Sequence, residues 1–400
     1  MKKVWSLGLV LSIYCCLLSG CGSYGVSGDS MMKESESVQE PSNSQIHSSE
    51  VETTESVFTE VETSETEEQD VVTELETETV PPEPVVETLT ITATGDCALG
   101  ALQYHGYARS FHQYYDKYGE TYFFQNFYDI FSQDDITIVN LECVFTDETK
   151  RVEKTYNIKG HPHYAGILSS SSVEVCSLAN NHTEDYGPAS FTDTKEALDA
   201  AQVAYAYEDV VAYYETESGI KVAMLSAYLL SKKAVKEPIL MAALEVAKQE
   251  ADLVIVSCHW GTENTHKLTS YQINTAHKLI DAGADLVIGH HPHVLQGVEY
   301  YQGKMICYSL GNFSFGANRN PADKNTAVFQ QTFTFVDGQL TDVLDAKIIP
   351  TRLSGQDDSN NYQPVIATGA KAQKILQNMR EYSASLSEIS IDEEGNISIN

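Results

Sequence analysis

The sequence predicts an α/β layer fold. Two observations carry that expectation. Short, continuously apolar, β-branched runs recur from residue 88 onward in the 400-residue chain, and amphipathic stretches near helical period lie between several of them. Runs of this length suit strands buried on both faces. In order they are 89–94, 136–141, 173–178, 220–226, 253–258, 286–288 and 305–309. The helical stretches are 189–201, 237–250 and 271–282, each able to turn one apolar face to a sheet. Further on, 328–336 and 340–349 flank Asp337-Gly338, a dipeptide that favours a two-residue hairpin turn. One more helix is expected at 368–386, and no internal repeat is visible.

The chain before this region has a different character. Residues 1–21 read as an export signal: Lys2 and Lys3 precede an apolar stretch, 4–18, too short to span a bilayer. Leu18-Ser19-Gly20-Cys21 resembles a bacterial lipobox. That resemblance implies an acylated Cys21 as the mature N-terminus, and so an extracytoplasmic chain lipid-anchored to the bacterial cell membrane without crossing it. An ordinary secretory signal is the alternative. Residues 22–87 are a low-complexity Ser/Thr/Glu/Val segment, with 18 acidic residues against one lysine between 29 and 87. Such a segment buries too little apolar surface to offset its ordering entropy, and self-repulsion extends it. It reads as a disordered acidic stalk, with a specific cation- or polymer-binding arm as the sharper alternative. A folded domain is expected over 88–352, followed by a C-terminal extension, 353–400, carrying one helix.

Charge and cysteine content exclude several classes. A formal charge of −32 argues against nucleic acid as a partner, because phosphate binding needs a basic face. No later apolar run reaches transmembrane length. Eight cysteines are too few for a disulfide scaffold. The five in the folded part, Cys97, Cys143, Cys176, Cys258 and Cys307, lie in strand-like surroundings and read as buried thiols.

Polar residues cluster where strands end, the place where open α/β sheets bind ligands. The ends read Gly95-Asp96, Asn140-Leu141-Glu142, Asn180-Asn181-His182, His259-Trp260-Gly261 with Glu263, His290-His291-Pro292-His293, and Gly311-Asn312-Phe313. Carboxylate, amide oxygen and imidazole without sulfur suit Mn, Fe, Zn or Mg. In extended backbone His291 and His293 would point to one side. A bound divalent cation would bring the pKa of a water toward ~7. His161-Pro162-His163 repeats the spacing but follows no clear apolar strand, and reads as a loop. A Cys97 or Cys143 nucleophile served by His182 or His259 is conceivable, although neither sits in a recognisable elbow. Neither a Gly-x-Ser-x-Gly elbow nor a P-loop is present.

These six motifs, in this order over roughly 88–352, resemble the CapA family of poly-gamma-glutamate capsule biosynthesis proteins, which is similar in fold to calcineurin-like metallophosphoesterases. The resemblance implies a four-layer α/β/β/α sandwich of the metallo-dependent phosphatase type. It implies metal ligation by Asp96, Asn181, His259, His291 and His293, with His182 at the scissile bond. The phosphoesterase pattern has His or Asp where Ala98 stands, and a Gly-Asp motif where Asn140-Leu141-Glu142 stands. One metal site is therefore expected rather than two. Glu142 and Glu263 are candidates to assist His182, and Asn140, Asn180, His290 and Asn312 are candidates for substrate contacts. The function so implied is synthesis, export or attachment of an extracellular anionic polymer or wall component, with capsule synthase subunits as possible partners. A metal-dependent hydrolase of phosphoester or polymer amide bonds and a non-catalytic polymer-binding module are the alternatives.

Overall fold

The computed structural model describes residues 83–400 and the backbone of Lys3–Gly8. Cys21 and residues 22–82 of the expected stalk lie outside the described residues. In chain order the folded part runs β1 (Val86–Ala98), α1 (Phe111–Tyr118), β2 (Ile136–Leu141), β3 (Val175–Ser177), α2 (Pro188–Ala200), β4 (Ala204–Ala206), β5 (Val210–Glu215), β6 (Lys221–Tyr228), α3 (Lys233–Glu250), β7 (Leu253–His259), α4 (Ser270–Asp281), β8 (Leu286–His290), β9 (Val298–Tyr301), β10 (Lys304–Cys307), β11 (Asn312–Phe315), β12 (Asn325–Val336), β13 (Asp345–Arg352), α5 (Gly369–Ser383), β14 (Ile389–Ile391) and β15 (Asn396–Ile399).

Two large sheets result. One is ordered β5-β6-β7-β8-β10-β9, with Lys3–Gly8 added antiparallel along the β5 edge. The other is ordered β14-β15-β13-β12-β1-β2-β3-β4, with β11 beside the end of β1. The central pairs β1/β2, β2/β3, β6/β7 and β7/β8 are parallel. Side-chain alternation then sorts the apolar residues. Leu253 and Ile255 of β7 join Ile136 and Ile138 of β2 in a core between the sheets. Val254, Val256 and Cys258 point the other way, onto Leu240 and Leu244 of α3 and Leu279 of α4. Val139 and Leu141 of β2 pack with Phe111 of α1 and Leu198 of α2. Three cores between four layers make the α/β/β/α sandwich.

Some elements differ from expectation for identifiable reasons. The Asp337-Gly338 turn forms as read, with φ of 51° and 75° and Val336 paired to Gln339. Helix α3 begins before residue 237 and carries Pro238 inside. Past residue 352 the helix is accompanied by β14 and β15, and Ile375, Leu376 and Met379 of α5 enter the inter-sheet core. The 161–163 segment does follow a strand, Ile158–Gly160, and Pro162 opens a 3-10 turn, Pro162–Ala165. Among the described residues no helix is long and apolar enough to cross a membrane.

Candidate functional site

Strand register assembles the site. Asp96 of β1 sits beside Asn140 of β2 on one side and Asn312 of β11 on the other. In the facing sheet, Tyr228, His259 and His290 share one row across β6, β7 and β8. Because the central strands are parallel, both rows fall at carboxyl ends, and the two rows meet across the seam. Close loop approach makes this possible. A Cβ on Gly95 would lie 2.2 Å from Gly311 O, and one on Gly289 would lie 2.1 Å from Tyr308 O.

Asp96 is fully buried and saturated with donors. Asn140 Nδ2 donates to Oδ1 at 2.9 Å and the His291 N–H to Oδ2 at 3.2 Å. His290 Nδ1 lies 3.2 Å from Oδ1, and His293 Nδ1 3.1 Å from Oδ2. Burial raises the Asp96 pKa, but hydrogen bonds and charge from His290 and His293 outweigh it and hold the carboxyl well below its usual range. Glu142 is the opposite case. Both of its buried oxygens lack a hydrogen-bond partner. Burial therefore drives its pKa well above the ordinary value, against the attraction of His293. His293, opposed by burial but attracted by Glu142 and Asp96, is raised to about 10. Burial, and next the charge of His293, lowers His291 to about 4. Burial, and next His291, pushes His259 well below its usual value.

His182 stands in a relay. Its Nδ1 lies 2.7 Å from Asp185 Oδ2, and Asp185 also ion-pairs with Lys154. Burial lowers the His182 pKa although Asp185 opposes the shift. The carboxylate partner fixes the proton on Nδ1 and leaves Nε2 as the free acceptor. His182 Nε2, His259 Nε2 and His293 Nε2 lie 3.9, 3.8 and 3.7 Å from Glu142 Oε1. Asn181 Oδ1 lies 2.8 Å from His259 Nε2.

A cavity of about 740 Å³ opens over this arrangement. Asn181, His182, Glu263, His293 and Asn312 line it. Asp96, Glu142, His259 and His291 form the buried floor. Three of the four expected substrate contacts do not line the cavity. Asn140, Asn180 and His290 are buried beneath the floor, where Asn180 Nδ2 donates to Leu141 O at 2.8 Å and Asn180 Oδ1 accepts from the His182 N–H at 2.9 Å. Only Asn312 of that set faces the cavity. The extended-backbone argument for His291 and His293 also fails: their φ angles are 96° and 59°. Their rings converge through left-handed backbone, a local strain of the kind found at functional sites. Burial pushes the Cys97 thiol up to about 12 and raises Cys143 well above its usual value, both away from the thiolate form, and neither lines the cavity. His161 and His163 stack on each other near His112, away from the cavity. Sequence reasoning missed Lys154, Tyr228 and Arg319 in the lining. Lys154 and Arg319 sit in loops without periodic pattern, and Tyr228 ends β6 two residues beyond the expected strand 220–226.

The donor set fits a divalent cation. Three groups, Glu142–His259–His291, Glu263–His291–His293 and Asp96–Glu142–His293, each bring their ligand atoms within 4.8 Å of one another. Separations of 3.7–3.9 Å around Glu142 are too long for hydrogen bonds. They are short enough for two metal–ligand bonds of about 2.1 Å to bridge. His259 and His291 are held neutral, the form in which imidazole ligates, and a buried carboxylate without donors is otherwise unfavourable. Oxygen and nitrogen donors match the hard and borderline metals expected from sequence without choosing among them.

The chain is similar to proteins of capsule synthesis. It is 31% identical over 255 residues to the capsule biosynthesis protein CapA of Bacillus anthracis, covering 57% of this chain and 60% of that protein. It is 32% identical over 213 residues to the PGA biosynthesis protein CapA of Bacillus subtilis, covering 48% and 56% respectively. The chain thus spans about three-fifths of the length of these relatives. Among solved structures, a 5'-nucleotidase from Candida albicans aligns over 73% of this chain and 58% of its own, at 13% identity and a TM-score of 0.36. The family model for bacterial capsule synthesis protein, PGA_cap, matches residues 90–317. With more than half of its residues matched, the chain belongs to the bacterial capsule synthesis protein family.

Proposed function

We propose that this protein acts in the synthesis or attachment of an extracellular anionic polymer, poly-gamma-glutamate or a related capsule, through metal-assisted hydrolysis or transfer at a phosphoester or polymer amide bond. One observation carries the reading: a buried glutamate with two unpartnered oxygens, ringed by three imidazole nitrogens at 3.7–3.9 Å, under a cavity of about 740 Å³. Asp96, Glu142, His259, His291 and His293 would hold the cation, with Asn181 and Glu263 at its open side. When bound, the cation supplies a water of lowered pKa and polarises the scissile group. His182 Nε2, aimed by Asp185, is placed to accept a proton from the attacking nucleophile. Asn312, in the cavity lining, anchors His293 at both ends of its amide: Oδ1 lies 3.0 Å from His293 Nδ1, and Nδ2 donates to His293 O at 3.3 Å. A second reading, a metal-free binding module, is favoured by the His293–Asp96 pair, which balances buried acid without any cation.

The test measures metal content of the purified full chain, then turnover of a generic phosphodiester and of poly-gamma-glutamate. Near-stoichiometric Mn, Fe, Zn or Mg and a rate lost by at least 10²-fold in His291→Ala would support the enzyme. Polymer binding with neither metal nor turnover would transfer support to the binding module.

The setting belongs to the same proposal. The lipobox-like Leu18-Ser19-Gly20-Cys21 supports a lipid anchor on the outer face of the membrane, with the acidic segment up to residue 85 as spacer, since Val86 and Glu87, expected in the stalk, pair within β1. Cys21→Ser should move the protein from the membrane pellet to the soluble fraction. Unchanged sedimentation would remove the anchor.

A further inference from the structure

A polyanion approaching a chain of net charge −32 meets repulsion unless cationic groups are placed locally. The outer wall of the cavity supplies them. Arg319 lies in the lining, and its Nε is buried without a partner. One end of its guanidinium is spent on Gly106 O, which fixes the plane of the group. Its backbone is clamped as well: the Asn360 N–H donates to Arg319 O at 2.8 Å, and Asn360 Nδ2 donates to Asn318 O at 2.8 Å. His105 lies close by in the same lining and leaves its buried Nδ1 unpartnered. Tyr104 and Tyr156, 60% and 53% exposed, stand on this wall with their rings open to solvent. The Arg319 Nε–H is a buried donor without an acceptor, a costly state that a ligand oxyanion would relieve, and the unpartnered His105 Nδ1 lies on the same wall.

We propose that Arg319, backed by His105 and flanked by Tyr104 and Tyr156, forms a carboxylate-binding subsite that holds an acidic unit of the polymer beside the bond presented to the buried floor. The inference rests on the proposed function for the identity of the polymer, but not for the existence of the subsite. Arg319 offers planar donors that match a carboxylate, and the tyrosines offer apolar faces to the methylenes of a glutamate unit. The clamp through Asn360 gives residues beyond 352 a part in substrate recognition, which no strand-end motif announces.

The experiment is calorimetric titration of the full chain with a γ-linked glutamate oligomer and with the same oligomer carrying amidated carboxyls. Wild type should prefer the acidic oligomer by at least tenfold, and Arg319→Ala should reduce that preference at least fivefold. Arg319→Gln keeps a donor toward Gly106 O, so an equal loss there assigns the effect to charge rather than to loop collapse. Arg319→Lys should retain part of the preference. Metal content is read in parallel: retained metal with lost preference upholds the subsite whatever becomes of catalysis. Three results would overturn the proposal: neither oligomer binds wild type, the preference survives in Arg319→Ala and Arg319→Gln, or inorganic phosphate rather than the oligomer loses affinity in them.

Discussion

Asn140 donates to Asp96 and accepts from the Asn180 amide nitrogen at 3.3 Å, so its held amide sets the orientation of the aspartate carboxyl. It never faces the cavity, which makes it a positioning residue. Asn140→Ala should lower metal affinity by about 10–100-fold, the usual effect of losing an outer-shell partner, with the circular-dichroism spectrum retained. An unchanged affinity in metal titration would show that Asp96 needs no such support. Away from the cavity, His112 gives a pH prediction. Burial, and next the charge of His161, lowers it to about 4. Its folded pKa thus lies below the unfolded value of about 6.5, so the unfolded chain takes up the proton first. The stability involved is complete above about pH 6.5 and is lost as pH falls toward 4, by up to about 2–3 kcal/mol. The urea midpoint of wild type should therefore fall relative to that of His112→Phe, which carries no such proton, as pH goes from 7 to 4. Parallel curves would refute the burial account. At this scale the sequence announced Asp96, His182, His259 and His293 by their places at strand ends. It could not separate Asn312, which faces the cavity, from Asn140 and Asn180, which do not, because one residue of register decides which way a side chain points.

At the scale of elements, the Asp337-Gly338 hairpin was legible because a two-residue turn needs positive φ and few dipeptides supply it. Gly338→Val should destabilise by about 1–2 kcal/mol, the penalty for a side chain in left-handed backbone. A thermal shift below 1 °C would mean that the turn relaxes. The glycines under the site act differently, by letting backbone approach backbone. Gly95→Ala places a methyl 2.2 Å from Gly311 O, against a carbonyl that cannot swing aside. It should cost about 2–3 kcal/mol or more and weaken metal binding together with stability, read by melting and metal content on one sample. Strand β5 and helix α1 escaped the sequence reading, since the Tyr/His/Gln composition of α1 gives no apolar stripe and only Phe111 of it is buried. The 291–293 loop differs from its expected geometry. Extended backbone was to place both imidazoles on one side, whereas the two histidines turn through left-handed backbone, and His293 comes to lie near Asp96 and Glu142.

For the molecule as a whole, the three cores lie within residues 89–397. A fragment beginning at residue 83 loses the Lys3–Gly8 strand along the β5 edge but no residue of these cores, and should melt within about 3 °C of the full chain. A fall of more than about 5 °C, well over 1 kcal/mol for a domain of this size, would show that residues upstream of 83 carry part of its stability. The layer order was implied by motif resemblance and not by periodicity, because apolar runs buried on both faces look alike whichever sheet they join. The same assembly has a consequence for where loading happens. The site's donors come from opposite sheets and from stretches of chain some two hundred residues apart, Asp96 to His293. A partly made or threaded polypeptide lacks this assembled donor set, so a cation of the proposed kind would enter only in the compartment that completes the fold, and the ions on offer there would compete for the site.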